Sequence, residues 1–507
     1  MSEPAAQSTP ASRGLITASI MLATIMQALD TTIANVALPH MQGGMSATQD
    51  QISWVLTSYI VAAAIMTPPT GILAARLGRR RLFAVAITGF TLASMLCGAA
   101  GSLTEIVLFR LLQGAFGAGL VPLSQAVLLD TYPREKHGAA MAMWGVGVMV
   151  GPILGPTLGG YLTEFYNWRW VFYINLPFGI LALLGILAFV PETPRQPERR
   201  FDVMGFAFLS LAIGALQIML DRGESQDWFG STEIVVEAVL AALFFYMFIV
   251  HMFTVKQPFI EPGLFRNRNF AAGLFMIFVV GIILLATLAL LPPFLQGLMG
   301  FPVLTTGYVL APRGIGTMVA MILVGRLIGR LDARLLIFTG ICLTALSLWE
   351  MSGFTPDVSI ATVVRTGVTQ GLGLGFIFVP LSTVTFSTLA PRYRTEGTAM
   401  FSLMRNIGSS IGISVMVTLL AHNSQQNHAE IAGVLTPFRP MMHQPLLPRV
   451  WEWHTTAGAA ALNGEVTRQA ATIAYLGDFS AMMWITLLSL PLLLLLRMPR
   501  PEGARAA

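Results

Sequence analysis

The chain has 507 residues, of which 55% are apolar and 11% charged, with a mean hydropathy of +0.70. A soluble fold carries roughly a quarter charged residues, so the composition excludes a soluble enzyme or nucleic-acid-binding domain, and the formal net charge of +5 needs another cause. The apolar residues fall in blocks of about 20, enough to cross a hydrocarbon core at 1.5 Å per residue, as in an all-α integral membrane protein.

Residues 1–14 read as a short cytoplasmic N-terminus. The first apolar run, 15–38, is too long for a signal-peptide core and ends at Pro39, so it is expected to be a retained span. Further runs follow at 52–74, 82–101, 104–128, 138–161, 170–190, 203–220, 233–254, 270–295, 304–327, 335–353, 360–384, 397–421 and 475–496, for fourteen spans. The weakest is 233–254, which carries Glu237 and His251. With the N-terminus inside, 21 of the 30 basic residues fall in cytoplasmic segments and five in external ones. Cytoplasmic loops of membrane proteins are enriched in Lys and Arg, so this bias explains the net charge and places both termini in the cytoplasm. Cys97 and Cys342 lie inside apolar runs and read as small buried hydrophobes, not a disulfide pair.

The chain repeats itself. Val121-Pro122-Leu123-Ser124 recurs as Val379-Pro380-Leu381-Ser382, and Pro133-Arg134 as Pro391-Arg392. Parallel repeats in a polytopic chain mark a two-halved secondary transporter, with substrate handled between the halves near the midplane. The expected organisation is a six-helix bundle over 15–190, a Pro-rich cytoplasmic linker over 191–202 and an inserted two-helix hairpin over 203–254. A second linker, 255–269, leads to a second six-helix bundle over 270–497, with a long, partly ordered external loop at 422–474 that could serve as a docking surface, and a tail at 498–507. Four of the seven histidines (His422, His428, His443, His454) lie in that loop at spacings that match no metal-ligand pattern, and read as solvated.

Ionisable side chains in hydrocarbon are costly and are functional candidates by default. Asp30 lies about 12 Å below the outer end of span 1 and Arg110 roughly 9 Å into span 4 from the same side, at 1.5 Å per residue. Similar depth and opposite charge predict a pair. Burial and a guanidinium pull a carboxyl's proton affinity in opposite directions, so Asp30 is the candidate proton carrier, with Arg110 tuning it. The alternative is a permanent pair that merely holds two helices in register. Arg313, Arg365 and Arg405 also fall inside spans, and this excess of positive charge suits neutral or weakly acidic amphiphiles.

Gly71-Ile72-Leu73-Ala74-Ala75-Arg76-Leu77-Gly78-Arg79-Arg80-Arg81 resembles the loop signature of the major facilitator superfamily, in which Gly71, Arg76, Gly78, Arg79 and Arg80 would form the gating turn. The family usually has an acid at Ala75, so the gating role tied to that carboxylate does not carry over. Arg110-Leu111-Leu112-Gln113-Gly114 matches the superfamily's intramembrane arginine motif. Gly151, Pro152, Gly155, Pro156, Gly159 and Gly160 in span 5 match the motif of its antiporters. Leu29-Asp30-Thr31-Thr32 and Asn167-Trp168-Arg169-Trp170 resemble the fourteen-span drug:proton antiporters. Leu216-Gln217-Ile218-Met219-Leu220-Asp221-Arg222-Gly223 resembles their EmrB-type subfamily.

The resemblance implies a major facilitator fold with fourteen transmembrane helices and proton-coupled export of hydrophobic drugs and toxic compounds across a bacterial inner membrane. No cofactor is expected besides the coupling proton. Partnership with a periplasmic adaptor and an outer-membrane channel is also implied. On the spans that line the cavity in this superfamily lie Met26, Tyr59, Gln113, Phe116, Gln125 and Trp144, with Arg365 and Arg405 as charged candidates. Export of an endogenous lipid or metabolite is the rival reading. A membrane-embedded enzyme would need a His-Glu-x-x-His or paired-carboxylate cluster, and the sequence has neither.

Overall fold

The computed structural model describes residues 10–195, 198, 200–435 and 455–497. Trp451, Trp453, His443 and His454 of the expected external loop lie outside the described residues, as do most of the two termini.

The described residues run through seventeen α-helices in the order α1 (Pro10–Gly44), α2 (Gln49–Met66), α3 (Thr70–Leu77), α4 (Arg79–Ala99), α5 (Leu103–Gly117), α6 (Leu120–Thr131), α7 (His137–Phe165), α8 (Trp170–Tyr173), α9 (Asn175–Phe189), α10 (Val203–Arg222), α11 (Thr232–Thr254), α12 (Arg268–Pro293), α13 (Val303–Leu327), α14 (Ala333–Met351), α15 (Ile360–Ser387), α16 (Arg394–Val434) and α17 (Thr456–Leu488). No strand occurs among the described residues. Among the described residues, thirteen helices are long and apolar enough to cross a membrane, and α2 with α3 makes a fourteenth span bent by 58°. The bend falls at Thr67-Pro68-Pro69, where two prolines in succession remove two backbone donors from the helical ladder.

Side chains start several helices as the sequence dictates. Thr48 and Gln51 form a reciprocal capping box on α2, Ser102 caps α5, and the Asp202 carboxylate accepts from the Gly205 N–H at the start of α10. Two helices outrun their hydropathy. α16 continues to Val434 and α17 begins at Thr456, so both flanks of the expected loop 422–474 are helical and only its middle lies outside the described residues.

The two halves share one core, in which Met26 and Trp144 from the first half pack with Met321, Phe378 and Phe401 from the second. Within the first half, α1 packs along α7 through the glycines of span 5. A Cβ on Gly151 would lie 2.5 Å from the Ala28 backbone, and one on Gly155 2.1 Å from Thr32 Oγ1. Small residues at that spacing let two backbones close in, and Thr32 Oγ1 donates to the Gly151 carbonyl at 3.1 Å. Gly159 sits against Ile33 and Val36, whereas Gly160 faces open space. Pro152 and Pro156 lie inside the unbroken helix α7.

The inserted pair lies across the boundary between the halves. α10 meets α2, where Thr57 Oγ1 donates to Asp221 Oδ2 at 2.5 Å, and meets α16, where Ser414 Oγ donates to the Leu220 carbonyl at 2.8 Å. Trp228, beyond α10, donates to Thr418 Oγ1 of α16 at 2.9 Å. α11 packs on α10 and turns most of its apolar surface outward.

Candidate coupling site and the gate between the halves

Asp30 is 1% exposed and accepts three hydrogen bonds from three side chains. Arg110 Nη1 donates to Oδ2 at 2.8 Å, while Gln113 Nε2 and Asn175 Nδ2 each donate to Oδ1 at 2.7 Å. The guanidinium is spoken for as well. Its Nη1 also reaches Gln113 Oε1 at 2.8 Å and its Nε donates to the Val55 carbonyl at 3.1 Å. Tyr59 and Phe172 present their ring faces to it, with centroids 4.5 and 5.6 Å away. Asn175 further contacts Ser94 Oγ at 2.9 Å, and Ser94 donates to the Phe172 carbonyl at 2.8 Å. Five spans of the first half therefore meet at one carboxylate.

The structure places the expected positions differently from one another. Gln113 and Tyr59 both contact the Asp30–Arg110 pair. Phe116 turns the other way, with its ring against Gly89 of α4 and 36% of its surface exposed on the bundle's outside. Arg365 is also surface-exposed, its side chain 67% accessible and paired with Glu350 at 3.2 Å where α14 ends and α15 begins. Asp478 of α17, which the sequence reading did not single out, is as buried as Asp30. Asn175, the first residue of α9, is a partner of Asp30 that the sequence reading did not anticipate.

Trp144 and Met26 belong to the core that the halves share. Trp144 of α7 donates through Nε1 to Ser124 Oγ at 2.8 Å and stacks on Phe378 of α15, centroids 5.9 Å apart and planes at 17°. Gln125 is 1% exposed, and neither of its amide atoms has a partner among the described residues. Arg405 lies half-buried in α16, its carbonyl within 2.3 Å of where a Cβ on Gly281 of α12 would sit.

At the arginine-rich end the halves are clamped together. Arg79, which starts α4, pairs with Asp130 at the end of α6, and Arg394 of the second half donates to the other Asp130 oxygen at 2.5 Å. Arg79 Nε also donates to Thr395 Oγ1 at 2.8 Å, and Thr398 Oγ1 donates to the Pro122 carbonyl at 3.0 Å. A Cβ on Gly71 would come within 2.8 Å of Glu396 Cα, so only glycine permits this approach of α3 to α16. Gly78 has φ +88°, which glycine adopts without strain. Arg80 donates to the Leu187 carbonyl and Arg76 is exposed. The acid missing at Ala75 leaves Asp130 as the carboxylate between the two arginines. Its place one residue before Thr131-Tyr132-Pro133, inside the repeated segment, was the available clue.

Two helical halves joined across a gate, with an ion pair buried in one of them, define a membrane transporter and not an enzyme. The chain belongs to the major facilitator superfamily, whose family model matches residues 20–413, and within it to the EmrB-type multidrug efflux subfamily. It is 37% identical over 428 residues to the multidrug export protein EmrB of Escherichia coli, covering 84% of each chain. It is 36% identical to the fatty acid resistance protein FarB of Neisseria gonorrhoeae, covering 85% of each. Among solved structures, the human organic anion transporter MFSD10 superposes with a TM-score of 0.59 at 16% identity, over 94% of this chain and all of that one. A bacterial homologue of the lysosomal transporter Spinster, inward-facing and occupied, gives 0.55 at 16%, over 96% of this chain and 97% of that one.

Proposed function

We propose that this protein exports hydrophobic, neutral or weakly acidic drugs and toxic compounds by exchanging them for protons, through alternating access across a bacterial inner membrane. The observation that carries the reading is the Asp30 carboxylate, held by Arg110, Gln113 and Asn175 where five spans meet. As an anion Asp30 matches the Arg110 charge. A proton on it would remove that match and leave the guanidinium unpaired in a buried site, which is costly. The helices that contribute the donors would then repack, and because α1 is tied to α7 through Gly151 and Thr32, the change would reach the gate helices. The arginine-rich end is taken as cytoplasmic, so the Arg79–Asp130–Arg394 clamp closes the inner side in this state.

The buried Arg313 and the half-buried Arg405 favour substrates that are uncharged or weakly acidic. FarB, by its name a fatty acid resistance protein, fits a substrate with an apolar tail and a carboxyl group. The same relative supports the second reading, export of an endogenous lipid or metabolite. A periplasmic adaptor and outer-membrane channel are proposed as partners, with the helical continuations of α16 and α17 as the segments placed to meet them. The deciding experiment is reconstitution into liposomes with an imposed pH jump and a fluorescent hydrophobic substrate. Transport driven by the jump in the parent protein and lost in Asp30→Asn supports the proposal; transport that ignores the gradient, or survives the substitution, ends it.

A further inference from the structure

α17 carries a carboxylate that plays no part in the Asp30 cluster. Asp478 is 1% exposed, and neither of its oxygens has a hydrogen-bond partner among the described residues. It lies in the membrane-crossing part of the chain, where an ionised carboxylate without donors is strongly disfavoured. No charged neighbour relieves it. Of the helices packed on α17, α12 has its one charge, Arg268, at its first residue. α14 has Arg334 near its start and Glu350 near its end, the latter paired with Arg365. α16 carries Arg394 and Glu396 at its start, Arg405 eleven residues on, and His422, His428 and Glu430 in its continuation. Among the described residues none of these pairs with Asp478.

The face of α17 that bears Asp478 packs on an irregular segment at the end of α12. Tyr475 and Phe479 lie 5.3 and 6.0 Å, centroid to centroid, from Phe294, the first residue of the π-helical turn Phe294–Leu298. Pro292 and Pro293 precede that turn and remove two backbone donors from the ladder. Single π-turns of this kind recur at functional sites. One turn along α17, Met482 Sδ sits 3.8 Å from Thr287 Oγ1, which accepts from Gln370 Nε2 at 3.2 Å. Asp478 thus lies between the loosened end of α12 and a polar contact that joins α12 to α15.

We propose that Asp478 is a second proton-binding site, occupied in the state described here and emptied when the Phe294–Leu298 turn swings off α17 and admits water. The ligand is H+: it adds to a carboxylate oxygen from bulk water and returns there, with no other bond made or broken. The coupling part of this inference rests on the proton-driven reading above; the occupancy part stands without it. Infrared difference spectra of the full-length protein in lipid bilayers at neutral pH test occupancy. The C=O stretch of a protonated, buried carboxyl is expected in the parent and in Asp30→Asn, and is expected to be lost in Asp478→Asn. If that substitution does not yield folded protein, Asp478→Leu, which keeps an apolar core position, replaces it. Spectra unchanged by either substitution overturn the proposal. In liposomes, protons moved per substrate are expected to drop by one in the Asp478 variants; an unchanged ratio also overturns it. Gradient-driven transport that persists in Asp30→Asn would sink the earlier reading while the infrared band still decides this one.

Discussion

The Asn175 amide donates at 2.7 Å to the same Asp30 oxygen that Gln113 reaches, so span 6 holds the carboxylate together with span 4. A side chain from the far end of the first half is thereby wired into the candidate proton site. Its replacement should be felt at the chemistry although it lies 145 residues away in the chain.

Asn175→Leu leaves the core volume nearly intact but removes a donor to a charged acceptor. Hydrogen bonds to charged groups contribute about 1.5–3 kcal/mol. Gradient-driven transport in liposomes should therefore fall on the order of 10- to 100-fold, while folding, followed by thermal unfolding in detergent, changes much less. Wild-type transport in this variant would remove Asn175 from the site.

The span 5 glycines should not be equivalent. Gly151→Ala places a methyl 2.5 Å from the Ala28 backbone and must push α1 away from α7. Overpacking of this kind costs about 1–3 kcal/mol, and transport should fall at least several-fold. Gly160→Ala meets nothing within 4 Å, so its transport should stay near the parent level. Equal damage from the two substitutions would contradict the packing described here.

Asp130→Asn leaves Arg79 and Arg394 facing each other without their shared carboxylate. The arginine-rich end should open more often. A reporter cysteine at Thr398, whose hydroxyl now donates to the Pro122 carbonyl across the boundary, should label faster from that side. The expected shift is about 1–2 kcal/mol toward the open form, the scale of one lost charge-assisted contact; unchanged labelling would count against the clamp.

Trp144→Ala removes both the stack on Phe378 and the bond to Ser124. Aromatic pairs contribute about 0.5–1.5 kcal/mol beyond area burial, so the closed gate should weaken by a comparable amount. Trp144→Phe keeps a ring against Phe378 and should recover most of the effect. Distances between spin labels on α7 and α15 would report both outcomes.

Asp202 ties the inserted hairpin to the second half's approach segment. Burial by itself would raise its carboxyl, but the Gly205 N–H, the His251 ring and the Phe259 N–H hold it below its ordinary value of 3.8. A depressed carboxyl adds stability that is complete above the unfolded value and is lost as pH falls through the folded one. Hydrogen exchange in α10 should therefore accelerate below about pH 4 in the parent, and Asp202→Asn should exchange faster at neutral pH with little further change on acidification. A parent profile flat through that range would refute the assignment.

The chain's own order of residues determined what depends on sums along it. The fourteen apolar runs, matched among the described residues by thirteen helices and one bent pair, and the similar depths of Asp30 and Arg110 are properties of hydropathy and rise per residue, while the orientation and the division into halves are expectations drawn from arginine placement and the internal repeat. What remained depended on helix rotation and on contacts between residues far apart in sequence. Phe116 and Arg365 sit on cavity-forming spans yet point outward, because the side a helical residue faces is set by which neighbour its glycines admit, as Gly89 admits Phe116. Nothing in the local sequence separates Asp130 from Asp478, and only the packing distinguishes them: the fold brings Arg79 and Arg394 to one and supplies no charged partner among the described residues to the other.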